Sequence, residues 1–473
     1  MHNVLCIDLD GTLIHTDILQ EALLLFIKSN PWRLIMIFIW LLRGRAILKQ
    51  KIAQRVDLEV NNLPYNQALL AWIKTEKEKG RKVVLVTAAD KKFADLVANY
   101  LGIFDDVLAS DGKINLRARH KALELNHRYG EKNYDYAGNS KPDLAVWKNV
   151  KRAIVVNGSS ALIKRANKIA NIDKIFPKQN LTLKSLAKAF RIHQYPKNIL
   201  IFTPLFAGHL LFNLSLLATT VIGFISFCCI ASSVYLLNDL LDLSSDRKHP
   251  HKSKRAIASG FLSISAAIYL MIAFFTLAII FSWNLPINFK LTLLVYYTLT
   301  LLYSFSLKKM VLIDVISLSF LYTIRIIAGM SLLVMYPYSL WMLLFAMFLF
   351  LSLAFLKRVS ELSLFEKHGQ QKIAGRSYLT TDLLTLNIFG ICSGFLAILV
   401  LALYLNSPEA AIMYKDPQVL LLLFPFILYW LCRIWLLATQ GKVHDDPVMF
   451  TIKDKVSYYI IGIIFFILFI ATV

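Results

Sequence analysis

A chain of 473 residues has room for two or three domains. Its residues are 57% hydrophobic and its formal net charge is +22, too apolar for a soluble protein of this size and basic enough to meet anionic lipid and anionic substrate. The cations sit in short loops between apolar runs, which argues against nucleic acid as a partner, and the five cysteines (Cys6, Cys228, Cys229, Cys392, Cys432) lack metal spacing and read as reduced packing residues.

The chain opens with Met-His-Asn-Val-Leu-Cys-Ile, which has no cationic region leading into an apolar core. That predicts no signal peptide and a front domain that stays in the cytoplasm. Val4 to Leu9 reads as a buried strand running into Asp8-Leu-Asp10-Gly11-Thr12. Such a strand places two carboxylates at the carboxyl edge of a sheet, where a tight glycine turn lets backbone amides face a phosphate. Further strands are expected at 82–87, 134–137 and 153–157, separated by helical stretches, which predicts a parallel α/β sheet. Residues 17–78 read as a helical insert. Within it, Trp32–Leu42 is apolar but too short to span a bilayer, which takes about 20 residues. Flanked by Lys28, Arg43 and Arg45, it suits either the interfacial layer or a cap packed on the sheet.

These motifs resemble the haloacid dehalogenase superfamily across residues 1–177, with the insert in the position of its cap. The resemblance implies a Rossmann-like domain with Asp8 as phosphoryl-accepting nucleophile and Asp10 as general acid/base. It further implies Thr87 as the phosphate-binding hydroxyl, Lys121 as the stabilising lysine, and Asp8, Asp10 and Asp143 as ligands of Mg²⁺. Asn139, in Gly138-Asn139-Ser140-Lys-Pro-Asp143, stands where an Asp is common and removes one anionic ligand.

Residues 178–196 predict an amphipathic connector, with Lys184, Lys188 and Arg191 set against Leu183, Leu186, Ala187 and Phe190. Residues 197–473 form a series of apolar runs that predicts an all-α, multi-pass membrane domain. About nine spans are expected, near 198–212, 216–237, 262–281, 289–303, 314–335, 340–356, 384–405, 419–437 and 457–472. Cationic loops recur on one side of these spans, so that side is expected to be cytoplasmic. Every candidate chemical group falls in the same set of loops. The site is therefore one-sided, as an enzyme using a soluble substrate requires. This predicts a cell inner membrane protein whose front domain and active sites face the cytoplasm.

The densest cluster spans Tyr235 to Gly260. If a helix persists there, Asp239, Asp242 and Asp246 lie at i, i+3 and i+7 on one face beside Asn238. Converging carboxylates at a membrane mouth repel one another unless a hard cation joins them. Mg²⁺ fits, since it accepts a few carboxylates and completes its shell with substrate phosphates. Lys248, Lys252, Lys254 and Arg255 then supply the positive field a polyphosphate needs. This stretch resembles the first aspartate-rich motif of the UbiA superfamily of intramembrane prenyltransferases, which binds a diphosphate through Mg²⁺.

In that family a second aspartate-rich motif belongs in the loop after the sixth span. Here the loop has Lys357, Arg358 and Glu361, then Arg376 and Tyr378, and cations in place of carboxylates suit a further substrate phosphate. The wider pattern comprises His193-Gln-Tyr-Pro-Lys197-Asn198, Asn-Asp-x-x-Asp, Tyr303-Ser-x-x-Leu-Lys308, Lys-Arg-x-Ser-Glu-Leu, Gly-Arg-x-Tyr and His-Asp-Asp-Pro-Val, with Arg325 inside a span. It resembles the decaprenyl-phosphate phosphoribosyltransferase branch. That resemblance implies transfer of 5-phosphoribose from phosphoribosyl pyrophosphate (PRPP) to a polyprenyl phosphate. Asp239 and Asp242 would act at the metal, with substrate held by Lys197, Asn198, Lys252, Lys254, Arg255, Tyr303, Lys308, Arg325, Lys357, Arg358, Glu361, Arg376 and Tyr378. Two alternatives stay open: an isoprenoid-diphosphate prenyltransferase, and a membrane anchor presenting the front domain.

Overall fold

The computed structural model describes residues 3–30, 32–111, 115–178, 182–249, 252–334, 336, 339–367, 377–443 and 446–472. The chain forms two compact units, one of Met1–Phe190 with Tyr235–Met271 and one of Arg191–Val234 with Ile272–Val473. The first unit is thus discontinuous in sequence.

In the first unit six strands, β1 (Val4–Ile7), β2 (Val83–Asp90), β3 (Asp106–Ser110), β4 (Tyr134–Gly138), β5 (Ala153–Gly158) and β6 (Ile172–Pro177), make one sheet. Their order is β3-β2-β1-β4-β5-β6, and every pairing is parallel. Leu5, Ile7, Val83 and Leu85 pack into one core while Cys6, Val84, Val86 and Tyr136 pack into another. Alternate residues therefore fill opposite faces, which is why these strands read as unbroken apolar runs. The order reverses between β1 and β4, so the chain leaving both strands borders the crevice where such sheets bind ligands.

The insert is helical, with α1 (Ile18–Ser29), α2 (Arg33–Leu42), α3 (Arg45–Ala53) and α4 (Gln67–Glu78). Asp17 caps α1, accepting from the Gln20 amide at 3.0 Å. Trp40 of α2 is buried against Phe26, ring centroids 5.5 Å apart. The opposite side of α2 is open, with Trp32 79%, Phe38 64% and Leu42 76% exposed. The helix thus packs by one edge and turns a broad apolar face outward.

The Tyr235–Met271 segment of this unit is fastened to the insert. Arg247 donates to both carboxylate oxygens of Glu21, at 3.0 and 2.6 Å, and Lys248 pairs with Glu59 at 2.7 Å. Thr16 donates its hydroxyl to Glu21 at 2.5 Å, so the carboxylate is held from both sides. The Arg247 and Glu21 side chains are 7% and 5% exposed, which places their pair in low dielectric.

The second unit is helical. Among the described residues, seven helices of the chain are long and apolar enough to cross a membrane: Leu214–Leu241, Ile264–Ser282, Ile313–Leu332, Leu340–Leu364, Thr380–Leu405, Pro417–Thr439 and Lys455–Thr472. The expected nine are therefore reduced to seven. Residues 198–212 break into a 3₁₀ stretch, Ile192–Phe202, and the five-residue helix Thr203–Ala207, with Pro196 and Pro204 preventing one continuous span. Ile287–Phe305 is a helix of 19 residues, but it carries Asn288 and Lys290 and falls outside the apolar set.

Close helix approach sets the position of Lys197 and Asn198. A Cβ on Gly329 would lie 2.1 Å from the Ile201 carbonyl oxygen. Gly329→Ala must push the 3₁₀ stretch away, and overpacking of this kind costs about 1–3 kcal/mol. A lower thermal unfolding midpoint in detergent is expected; an unchanged midpoint would mean that the stretch yields freely.

Candidate active sites

In the first unit, Asp8 follows β1 and is 7% exposed. Lys121, on the helix Arg119–Tyr129, donates to Asp8 Oδ1 at 2.7 Å and to the Tyr136 hydroxyl oxygen at 2.8 Å. Burial raises the Asp8 carboxyl to about 6, with Lys121 opposing the shift. Asp10 Oδ1 accepts from the Ile18 amide at 2.8 Å, and burial with nearby Asp17 raises its carboxyl well above the ordinary value. Gly11 has φ +72°, and a Cβ there would lie 2.0 Å from Asn139 Nδ2, so the turn brings that amide against the catalytic loop.

Two expected residues sit differently. Asp143 Oδ2 accepts from the Asn139 amide, the Ser140 amide and the Ser140 hydroxyl, while Oδ1 accepts from Tyr136 at 2.9 Å. With four protein donors on its two oxygens, Asp143 shapes the loop while lining the cavity that holds Asp8 and Asp10. Thr87 is fully buried inside β2, which continues to Asp90, and its hydroxyl accepts from the Ala89 amide at 3.0 Å. The end of β2 reaches the cavity wall through Ala88, Ala89 and Asp90 instead. That cavity, about 600 Å³, is lined by Asp8, Asp10, Lys121 and Asn139 and also by Arg45, Lys49 and Arg117. Burial lowers the Lys49 ammonium despite Asp10 and Asp17, and nearby Arg117 and Lys121 add to the effect.

The aspartate-rich stretch also lies in this unit. Its helix, Leu214–Leu241, ends before Asp242, which heads a second short helix, Leu243–Lys248. The expected convergence on one face is therefore partial. Arg255 donates to Asp239 at 3.1 Å and to Asp246 at 2.6 Å, drawing two carboxylates together. Asp242 turns instead to Lys28, at 3.4 Å. Asn238 Oδ1 is buried with no hydrogen-bond partner among the described residues. Lys252 and Lys254 are exposed. Among the described residues, no three acidic, His or Cys side chains are grouped as a metal cage.

Two further clusters occupy the second unit. In the first, Lys197 and Lys357 meet on Asp446 Oδ2, at 2.9 and 3.0 Å, and Tyr322 donates to Asp446 Oδ1 at 3.0 Å. Burial alone would raise Asp446, but Lys357 and Lys197 hold it well below the carboxylate range. Burial lowers Lys197 to about 8, with Asp446 resisting. Beside them, Arg325 donates to Asn198 Oδ1 at 2.9 Å and faces the rings of Phe227, Tyr296 and Tyr322. This is how a guanidinium inside a span is accommodated.

In the second, Arg358 is fully buried and donates to Asp314 at 2.7 Å, to Glu361 at 2.5 Å and to Tyr303 at 3.3 Å. Tyr378 donates to the other Asp314 oxygen. Arg358, Glu361, Tyr303 and Tyr378, all expected to touch substrate, are here bound to one another around Asp314. Lys308 is half-buried. Arg376 lies outside the described residues, as do His444 and Asp445.

The structure thus adds Asp446, Tyr322 and Asp314 to the candidate residues. Asp446 precedes Pro447 as the cap of the helix Pro447–Lys453, a helix-start signature that marks a fixed carboxylate. Nothing local marks Asp314 as the partner of Arg358.

The sequence model of the UbiA prenyltransferase family matches residues 199–454, more than half of the chain. Protein y4nM of Sinorhizobium fredii is 35% identical over 456 residues, covering 96% of this chain and 88% of that protein. The decaprenyl-phosphate phosphoribosyltransferase of Mycolicibacterium smegmatis is 34% identical over 201 residues, 41% of this chain and 61% of that protein. A solved phosphoserine phosphatase complex aligns with 38% of this chain and 95% of its own at 14% identity, TM-score 0.28. The family match spans more than half of the chain, and the chain belongs to the UbiA prenyltransferase family.

Proposed function

We propose that this membrane transferase moves 5-phosphoribose from PRPP to a polyprenyl phosphate, releasing pyrophosphate, and that its front domain then removes the remaining phosphate monoester. The observation that carries the reading is the meeting of Lys197 and Lys357 on a single oxygen of Asp446. Two ammonium groups held together by one carboxylate, with Arg325 near, make a seat for a phosphate monoester. In the sequence, Lys357 falls in the stretch where an isoprenoid-diphosphate enzyme of this family would have further carboxylates. The partial match to a decaprenyl-phosphate phosphoribosyltransferase supports the same donor and acceptor.

The donor set around Asn238 fits a hard cation, because an unsatisfied buried amide oxygen and two carboxylates are all oxygen donors. Mg²⁺ held by Asn238, Asp239 and Asp246 would neutralise charge on the leaving diphosphate. Arg255, Lys252 and Lys254 add positive field around that diphosphate. Lys197 and Lys357 would grip the 5-phosphate. The acceptor, a monoester with second pKa of about 6, is anionic at neutral pH and needs no strong base. Its oxygen bonds to ribose C1 as the C1–O bond to the diphosphate breaks, and pyrophosphate leaves with the electron pair. An apolar cavity of about 770 Å³, lined by Phe206, Phe345, Leu349, Trp430 and Phe465, suits the lipid chain. Thr451 in its wall belongs to the helix that Asp446 caps.

In the front domain the oxygens of Asp8, Asp10 and Asn139 fit Mg²⁺, which would screen the substrate phosphate. Asp8 attacks phosphorus, the ester P–O bond breaks, and Asp10 gives a proton to the leaving alcohol. Asp10, now a carboxylate, takes a proton from a water whose oxygen attacks phosphorus, the bond from Asp8 to phosphorus breaks, and phosphate leaves; Lys121 steadies the Asp8 carboxylate before and after.

The test is to incubate membranes with labelled PRPP and polyprenyl phosphate and to follow label into the lipid phase. Label entering from an isoprenoid diphosphate instead would indicate the prenyl-transfer alternative. For the front domain, wild type and Asp8→Asn are compared on purified phosphoribosyl lipid, and equal phosphate release by both would overturn the phosphatase assignment. A pH dependence also follows. Lys197 is protonated below about 8, so PRPP affinity is expected to fall as pH rises through that value. The KM for PRPP measured from pH 7 to 9 should climb in wild type and stay flatter in Lys197→Arg; parallel profiles would remove Lys197 from the phosphate seat.

A further inference from the structure

The cavity beside Asp8 is larger than one phosphate requires, and Lys121 is not the only cation in its wall. Arg45 and Lys49 of α3 and Arg117 all line it in addition to Asp8, Asp10 and Lys121. The Lys49 ammonium donates to neutral oxygens, Ala88 O at 2.5 Å and Asn115 Oδ1 at 3.1 Å. Neither it nor the Arg45 or Arg117 side chain has an ion-pair partner among the described residues. Asp10 and Asp17 reach Lys49 through space, and Asp17 and Asp90 also accept from the Gln20 and Lys92 amides, each at 3.0 Å. With no direct ion pair among the described residues, the three cations keep hydrogen-bonding capacity for an anionic ligand.

The same wall is also apolar. Leu19, Leu41, Leu48 and Phe93 line the cavity, and Leu41 belongs to α2, the helix with the open apolar face. Gly44, at φ +112°, makes the turn that sets Arg45 directly after that helix.

We propose that this cavity contains a second anion subsite, formed by Arg45, Lys49 and Arg117, which selects an amphiphile bearing two phosphates. The terminal monoester lies at Asp8, an inner phosphodiester lies on the three cations, and the start of an apolar chain runs along Leu41 and Leu48 toward α2. The inference rests on the phosphatase reading of this domain and specifies its substrate class. A lipid-linked sugar phosphate has this layout, whereas a soluble sugar phosphate lacks the inner charge and the tail.

The test compares two probes of matched tail length on the full chain in detergent: farnesyl-phosphoryl ribose 5-phosphate, with two phosphates, and farnesyl ribose 5-phosphate, with one. Binding is measured by calorimetry in protein carrying Asp8→Asn to prevent turnover and Asp239→Asn to silence the membrane site. Turnover is measured separately with Asp8 intact. The two-phosphate probe is expected to bind more tightly, by about tenfold or more for each cation that contacts the diester. Arg45→Gln with Arg117→Gln, both at exposed side chains, should remove most of that preference and weaken the one-phosphate probe far less. Lys49→Met provides a second, independent loss. Equal weakening of both probes, or no preference in the parent protein, overturns the subsite. Retained preference with no turnover of either probe sinks the phosphatase reading alone, and turnover without preference sinks the subsite alone.

Discussion

Asp239→Asn is expected to lower transfer of labelled phosphoribose into lipid by about 10²-fold or more, on the scale of the several kcal/mol a metal-held charge contributes. Asp239 is 6% exposed and already shares Arg255 with Asp246. Removing its charge while keeping its shape leaves Arg255 a neutral acceptor and Asp246 a partner. The helix should therefore persist, and an unchanged unfolding midpoint separates lost chemistry from lost structure. Asp242→Asn should lose less, because that carboxylate turns to Lys28 in a pair whose side chains are 38% and 32% exposed. Near-normal turnover in Asp239→Asn would remove the metal–diphosphate assignment.

Neighbouring cations should fail in opposite ways. Arg358→Ala strips the guanidinium from Asp314, itself fully buried, and leaves Glu361 and Tyr303 without their shared donor. Breaking a buried pair from one side costs about 3–5 kcal/mol. The expected result is little folded protein, read from yield and unfolding midpoint in detergent. Lys357→Ala should instead fold, because Asp446 retains Lys197 and Tyr322. Its deficit should appear in PRPP binding, at about 1.5–3 kcal/mol, with pyrophosphate binding changed much less. A well-folded Arg358→Ala with a selective PRPP defect would return Arg358 to direct phosphate contact.

What could be read from sequence was what sequence keeps local. Val4 to Asp10 announces a buried strand ending in paired carboxylates, and the parallel sheet follows from apolar runs buried on both faces. The aspartate-rich stretch was visible for the same reason, since Asn238 to Asp246 is nine consecutive residues. Its helix break was not, because Asp242 satisfies helical spacing and only the backbone there departs from it. The seat at Asp446 draws on residues 197, 322, 357 and 446, and no spacing rule joins positions so far apart. The pairing of Arg358 was hidden for a related reason. An Arg beside a Lys in a cationic stretch looks like a ligand group, whereas its partner Asp314 lies 44 positions away. The span count failed where Pro196 and Pro204 interrupt a composition that is otherwise apolar enough.

The clasp between Glu21 and Arg247 bears on how this chain can be divided. A cut drawn from sequence near residue 190 looks clean, yet Glu21 and Arg247 are 226 positions apart and belong to one compact body. Cutting there would strand each partner in a different polypeptide, exposing two charges that currently satisfy one another. Exchanging the front portion for that of a distant relative would meet the same obstacle unless both halves of the clasp were exchanged together. The front portion and the helical remainder are therefore not interchangeable cassettes, and substitutions at positions 21 and 247 are expected to be inherited as a pair.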